Sequence, residues 1–315
     1  MILVVTHSRD VSADLVIRHL LALGCTYVRL DTDRLGTPAC YFGAGFEPEL
    51  YLHGRKILSS DVTAIWARRF ALPEVLRQVT SEHVDFVRRE LSVIMDAFLE
   101  GRQEVFQINS AHADRQAGNR ILQAQRAKKA GIAVPESLVT QDCNLARQFL
   151  ERHPEVICKA LSFGRISSVP NSEMFVYTTR ASKTMQLQGL ECCPTLFQQR
   201  IVKKFDWRIT TIGNRAFSAR AEVDESSSSI DWRQDKNATT KFVRADPPSK
   251  VLDQLFDLAK NSGIIYGAHD LLETSSGEFY FLETNPAGQW GWIELTANLP
   301  IGRAIAEELA AHSAW

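Results

Sequence analysis

Apolar and polar positions recur along this chain with two periods, and the switches between them outline its elements. Ile2-Leu3-Val4-Val5 is a short unbroken apolar run, which reads as a buried strand. Ser8 to Asp10 supplies a turn and cap before helical spacing that continues to about Leu23, where Gly24 stops it. Tyr27 to Leu30 reads as a second strand ending at Asp31 and Asp33. This strand–helix–strand opening predicts a parallel α/β unit. It lacks a GxGxxG fingerprint and so predicts no dinucleotide site. Residues 39–59 read as a meander, and Ala64 to Ala67 as another strand. Ser81 to Leu99 carries apolar residues at Val84, Val87, Leu91, Ile94, Met95 and Phe98, which is helical spacing, and Val105 to Asn109 returns to a strand. A first domain closing near residue 112 follows.

Beyond it, Arg115 to Ala130 predicts one basic amphipathic helix closed by Gly131. Val156 to Lys159 is a short strand with a lysine at its end. Ser162 to Asn171 is a polar loop, and Met174 to Thr178 a strand. The character changes near Cys193-Pro194, so the expected domains are 1–112, 113–195 and 196–315. In the last of these, Glu222 to Asp231 reads as a mobile loop and Val251 to Lys260 as a helix. Asp270 to Glu273 and Glu278 to Glu283 form a hairpin around Ser275-Ser276-Gly277.

Composition narrows the function classes. The 315 residues suffice for two or three packed domains, and 45% hydrophobic with 23% charged residues is ordinary for a folded cytoplasmic protein. Thirty-six basic and 37 acidic residues leave a formal charge of −1. That balance provides no bulk attraction to nucleic acid or to an anionic membrane. No signal peptide is evident and the apolar runs are too short to span a bilayer, so a cytoplasmic location is expected. The six cysteines, at 25, 40, 143, 158, 192 and 193, show no CxxC pair or histidine spacing that would predict zinc.

The candidate chemistry lies in the last domain. Glu283 and Asn285 are two residues apart at the end of a β-rich run, so they share one side of a strand, and Asp270 on the preceding segment can add a third oxygen. Oxygen-only ligands suit Mg²⁺ rather than zinc, and a cation would relieve their mutual repulsion. Arg120, Lys159, Lys203 and Arg208 are spread as several phosphate contacts would require. Lys159 must leave the apolar surroundings of its strand, for a phosphate or for solvent. Asp206 and Arg208 share a strand face, either as a clamp in which Asp206 holds the guanidinium or as a structural ion pair. Arg120 taken alone fits a solvated helix face. Gly288 to Glu294 is polar-aromatic, and reads as a cleft lining or as a packed loop with two tryptophan anchors.

Together these residues resemble the ATP-grasp superfamily, and in particular the peptide-modifying ligases of the microviridin or graspetide type. The pattern runs through Asn119-Arg120-Ile121-Leu122-Gln123, Ala130-Gly131-Ile132 with Pro135, Lys159, Gln198-Gln199-Arg200-Ile201, Asp206-Trp207-Arg208-Ile209, and Asp270 with Glu283-Thr284-Asn285. The narrower family is suggested by Ile65-Trp66-Ala67-Arg68-Arg69, Asp231-Trp232-Arg233 and Phe281 to Trp290.

The resemblance implies an α/β and α+β chain, an ATP-grasp fold preceded by a pre-ATP-grasp α/β domain. It implies ATP and Mg²⁺ as cofactors, with Asp270, Glu283 and Asn285 on the metal. Lys159 and Arg120 would hold phosphates, Arg208 would clamp the γ-phosphate, and Gln198, Gln199, Arg200 and Ile201 would form the adenine-side hinge. Arg120 stands where the family usually has a lysine, and the lid loop Gly164-Arg165-Ile166-Ser167-Ser168 has fewer glycines than usual. The implied substrate is a ribosomal precursor peptide with leader and core, met by Arg68, Trp232 and Arg233. A homodimer is also implied. The competing functions are a ligase joining free amino acids or other small carboxylates and amines, and a degenerate ATP-grasp binding protein. The presence of all three metal-ligand candidates disfavours the latter.

Overall fold

The computed structural model describes residues 1–102, 104–162, 165–169, 172–222 and 241–313. Four strands, Tyr27–Asp31, Ile2–Thr6, Ala64–Ala67 and Phe106–Ile108, form a parallel sheet in that spatial order. Successive residues of the first strand enter different cores, as burial on both sheet faces demands. Leu3 and Val5 pack with Leu50, Ile57 and Phe98 from the meander Cys40–Leu58 and the helix Val84–Glu100. Ile2 and Val4 pack with Trp66, the helices Val11–Ala22 and Ile301–Ala311, and the residues Ala219, Ala268 and Trp290 of the last domain. The first domain and the C-terminal lobe therefore share one core. Trp290 is fully buried in it, which makes the tryptophan loop a packing element at that residue.

Asn109 fastens this junction. Its carboxamide accepts from the amides of Ile265 and Tyr266 at 2.8 and 2.9 Å, and donates to the carbonyls of Tyr266 and Pro286 at 2.9 and 3.0 Å. Asn109→Ala strands several buried backbone groups at once, each costing about 1–3 kcal/mol when unpaired. We expect a loss of about 2–4 kcal/mol, read as a lowered urea midpoint; a loss below about 0.5 kcal/mol would show that these bonds are dispensable.

The same amide donates to Asp114 at 3.0 Å. Burial, with the Glu100 carboxylate nearby, pushes the Asp114 carboxyl up from 3.8 to about 6, against the opposing effect of the bond from Asn109. Between these values the folded chain holds a proton that the unfolded chain has released, so this group's contribution to stability falls as pH rises through the window. Asp114→Asn is expected to remove that slope and to stabilise the protein at neutral pH by about 1–3 kcal/mol. Urea titrations on both sides of the window check this, and a variant weaker than the parent at neutral pH contradicts it.

The helix expected over Arg115–Ala130 is two helices, Ala111–Gly118 and Arg120–Lys129. Asn119 breaks the run because its side chain accepts from the amides of Ile121 and Leu122, a cap that requires extended backbone at Asn119 itself. The next sheet orders Thr179–Ala181, Val156–Lys159, Thr195–Gln199 and Ser137–Thr140, all antiparallel. Thr195–Gln199 belongs to this sheet, so the middle lobe extends past the expected boundary at 195 and the chain crosses over at 200–204. The helix Cys143–Arg152 covers one face through Ala146, Phe149 and Leu150. Part of the expected polar loop is instead a strand, Arg165–Val169, paired antiparallel with Ser172–Phe175. The expected lid glycine, Gly164, and the expected mobile loop from residue 223 onwards lie outside the described residues.

The C-terminal lobe is a five-stranded antiparallel sheet ordered Val243–Arg244, Arg215–Glu222, Phe205–Ile212, Tyr266–Glu273 and Phe279–Asn285. Among the described residues no helix is long and apolar enough to cross a membrane.

Candidate active site

The site occupies the charged part of one face of this last sheet. Alternation along Phe205–Ile212 sends Trp207 and Ile209 to one side, where they pack with Leu271 and Phe281 against Val251, Leu255 and Leu258 of the helix Ser249–Ser262. Asp206 and Arg208 therefore project from the other side. Strand register sets Arg208 opposite Asp270, and Asp270 opposite Glu283.

A β-bulge brings Glu283 into that row. Asp270 pairs with Glu283 but Leu271 pairs with Phe281, leaving Leu282 as an extra residue. Without it, Glu283 and the buried Phe281 would share a face; the extra residue turns the carboxylate to the side of Asp270 and Arg208. Asn285, two residues on, shares the side of Glu283, and its Oδ1 accepts from the Ala287 amide at 3.3 Å.

Each acidic group on this face has a cationic partner. Arg208 lies 3.2 Å from Asp270, and Arg120 lies 2.7 Å from Glu283. Lys203 donates to both oxygens of Asp206, at 2.8 and 2.6 Å. The last pair corrects the expectation that Asp206 holds the Arg208 guanidinium: the lysine takes Asp206, and cross-strand register gives Arg208 to Asp270. The Arg208 guanidinium also sits 6.0 Å from the centre of the Trp292 ring, within cation–π reach. Arg120 is the first residue after the Asn119 cap, so the helix start aims it at Glu283 rather than at solvent.

The remaining expected site residues are distributed elsewhere. Lys159 and Gln198 lie on the middle lobe's sheet, on the face away from the Phe149 core by alternation. Gln198 is buried and donates to the Ser137 hydroxyl at 2.9 Å. The Gln199 amide donates to the Glu136 carbonyl at 2.8 Å, Arg200 pairs with Glu155 at 2.6 Å, and Ile201 follows, half-buried, in the crossover. Arg68 is a correction. It is only 3% exposed and donates to the Ala287 carbonyl at 2.8 Å and to Gln289 Oε1 at 3.0 Å, so it braces the loop after Asn285 instead of offering charge to a peptide. Trp232 and Arg233 lie outside the described residues.

Two polar residues without an expected role lie beneath this face. His269 is fully buried, with Nε2 2.9 Å from the Thr211 hydroxyl and Nδ1 2.8 Å from that of Thr284. Burial, aided by Arg208, pushes its pKa down to about 3, so it is a neutral bridge and no general base at neutral pH. Gln123 is the other. Its three-residue spacing from Arg120 was the available sequence signal, because such a pair shares a helix face.

Asp270, Glu283 and Asn285 form a donor set that fits Mg²⁺: two carboxylates and an amide oxygen on one sheet face, with no sulfur or imidazole. Among the described residues no three His, Cys, Asp or Glu side chains form a group that could hold a metal ion by themselves.

Comparison with known proteins agrees with this architecture. Residues 1–115 match the MvdD pre-ATP grasp domain family. No curated protein matches the chain. Among solved structures it is similar to the macrocyclase MdnC of Microcystis aeruginosa MRC bound with precursor peptide MdnA, at 29% identity and a TM-score of 0.88 over 99% of both chains. It is similar to the macrocyclase MdnB of the same organism, at 26% identity and a TM-score of 0.80 over 98% of both chains. A RiPP-associated ATP-grasp ligase of Chryseobacterium gregarium, in complex with ADP and a leader and core peptide, shares the fold at 24% identity. Its TM-score is 0.89, over 98% of this chain and 96% of that one. With a pre-ATP-grasp domain in front and two lobes behind, the protein has the ATP-grasp fold, and along its whole length it is similar to the macrocyclases MdnC and MdnB.

Proposed function

We propose that this protein is an ATP-dependent ligase that closes rings within a ribosomally made precursor peptide. It would activate Asp or Glu side chains as acyl phosphates and join them to Ser or Thr hydroxyls or Lys amines of the same peptide. The observation that carries this reading is the row of Arg208, Asp270, Glu283 and Arg120, aligned across three strands and one helix start in an ATP-grasp lobe. Phosphoryl transfer requires little covalent help from a protein; it requires charges fixed around the transferring group, and this row supplies them.

Asp270, Glu283 and Asn285 would hold Mg²⁺, which would offset charge on the triphosphate oxygens. Arg208 would bind the γ-phosphoryl group as charge moves onto the β–γ bridging oxygen. Arg120 and Lys159 would contact other phosphate oxygens, with Lys203 held nearby by Asp206. Gln198 to Ile201 would meet the base of the nucleotide. A substrate carboxylate oxygen bonds to the γ-phosphorus and the bond to ADP breaks. A hydroxyl or amine of the peptide then attacks the acyl carbon, gives up its proton and releases phosphate. The product is an ester or an amide. No histidine is needed as base in the first step, because the carboxylate is already ionised.

The proposed partner is a leader-and-core peptide in the cytoplasm. The expected homodimer rests on the family resemblance, and light scattering of the purified chain tests it. The enzymatic reading is tested with ATP, Mg²⁺ and a short neighbour-encoded peptide rich in Thr or Ser and Asp or Glu. Each ring should lower the peptide's mass by one water, and mild base should restore that water at esters but not at amides. An unchanged peptide, together with ATP-dependent joining of free amino acids, would instead identify a small-molecule ligase.

A further inference from the structure

We propose that Gln123 is a positioning residue that holds the metal-binding strand in register, and that metal affinity depends on it. The inference rests on the assignment of Glu283 and Asn285 as metal ligands. Among the described residues the strand Phe279–Asn285 is the outer strand of its sheet, and its one ladder is with Tyr266–Glu273. On its other edge an isolated bridge to Ala133, with the Phe281 amide donating to the Ala133 carbonyl at 2.8 Å, does not reach Thr284. An edge strand leaves alternate backbone groups without a ladder, free to shift or fray. Thr284, between the two proposed ligands, is one such residue.

Its open edge is closed by one side chain. Gln123 Oε1 accepts from the Thr284 amide at 3.0 Å, and Gln123 Nε2 donates to the Thr284 carbonyl at 2.7 Å. One carboxamide thus does for Thr284 what a neighbouring strand would do. The same Nε2 donates to the Ala117 carbonyl at 2.6 Å, which ties the contact to the preceding helix. Gln123 is 4% exposed, so water does not compete for these bonds. From the sheet's other side the Thr284 hydroxyl meets His269 at 2.8 Å. Thr284 is therefore fixed at its amide, its carbonyl and its hydroxyl.

Arg120 lies one turn before Gln123 and holds Glu283. The helix Arg120–Lys129 thus grips two consecutive residues, Glu283 by its carboxylate and Thr284 by its backbone. The bulge at Leu282 makes this grip necessary, because an irregular strand has no full ladder to resist slippage that would turn Glu283 away from Asp270.

The test is Mn²⁺ binding followed by electron paramagnetic resonance in the presence of ADP, on the full chain, with circular dichroism and thermal melting as controls for folding. Gln123→Met keeps the side chain's length and removes all three bonds; we expect Mn²⁺ affinity to fall about 10–100-fold in a folded protein. Glu283→Gln is measured alongside. If Glu283→Gln loses Mn²⁺ but Gln123→Met binds it as the parent does, the positioning role is overturned and the metal assignment stands. If both bind Mn²⁺ as the parent does, the metal assignment falls and takes the inference with it. Should Gln123→Met fail to fold, Gln123→Asn, too short to reach both Thr284 groups, replaces it with the same expected loss.

Discussion

Arg208→Ala is expected to lower the turnover of ATP-dependent ring closure by about 10³-fold or more, the range seen when an arginine that stabilises a transferring phosphoryl group is removed. Arg208 is 12% exposed, so its charge acts across a medium less polar than water, and the Asp270 carboxylate and the Trp292 ring hold it in place. Charge moves toward the β–γ bridging oxygen on the way to the transition state, so the loss should fall mainly on kcat and less on KM for ATP. Arg208→Lys should recover only part of it, because an ammonium cannot present two parallel donors. Steady-state kinetics with peptide and ATP read both variants. A kcat within a few-fold of the parent in Arg208→Ala would remove this residue from the chemistry.

The second large effect is expected at Glu283. Glu283→Gln keeps the side chain's shape and one acceptor oxygen, but removes the charge that would hold the cation. Several kcal/mol of phosphoryl-charge stabilisation go with the metal, equivalent to a rate loss of about 10³-fold. The substitution also deprives Arg120 of its partner. That pair is 22% and 18% exposed, so its loss should change stability by only about 1 kcal/mol. Large kinetic and small stability effects in one variant separate a metal ligand from a structural ion pair. Raising Mg²⁺ should restore part of the activity if the site is weakened rather than destroyed. Full ATP-dependent dehydration of the peptide at ordinary Mg²⁺ would show that the carboxylate has no part in binding the metal.

These residues also mark the division between local and tertiary information. Local sequence was enough to identify the elements: the apolar run Ile2–Val5, the helical spacing over Val84–Phe98 and the hairpin signal around Ser275-Ser276-Gly277 correspond to real strands and helices. Those are short-range effects of side-chain period and turn chemistry. Sequence was also enough to single out Asp270, Glu283 and Asn285 as oxygen donors, since donor chemistry is a property of the residue type. It did not show that Asn119 splits a basic stretch into two helices, although the Asn that caps the second one was in view.

Pairing was not legible. Alternation counted from Phe281 places Glu283 in the core, and only the bulge at Leu282 turns it outward. Arg208 chose Asp270 over Asp206, and Arg68 became a buried brace, because each outcome depends on segments that are far apart in sequence. The residues themselves thus determined which chemistry was available. Which cation meets which carboxylate was decided by register and burial, because both arise only when strands and helices pack.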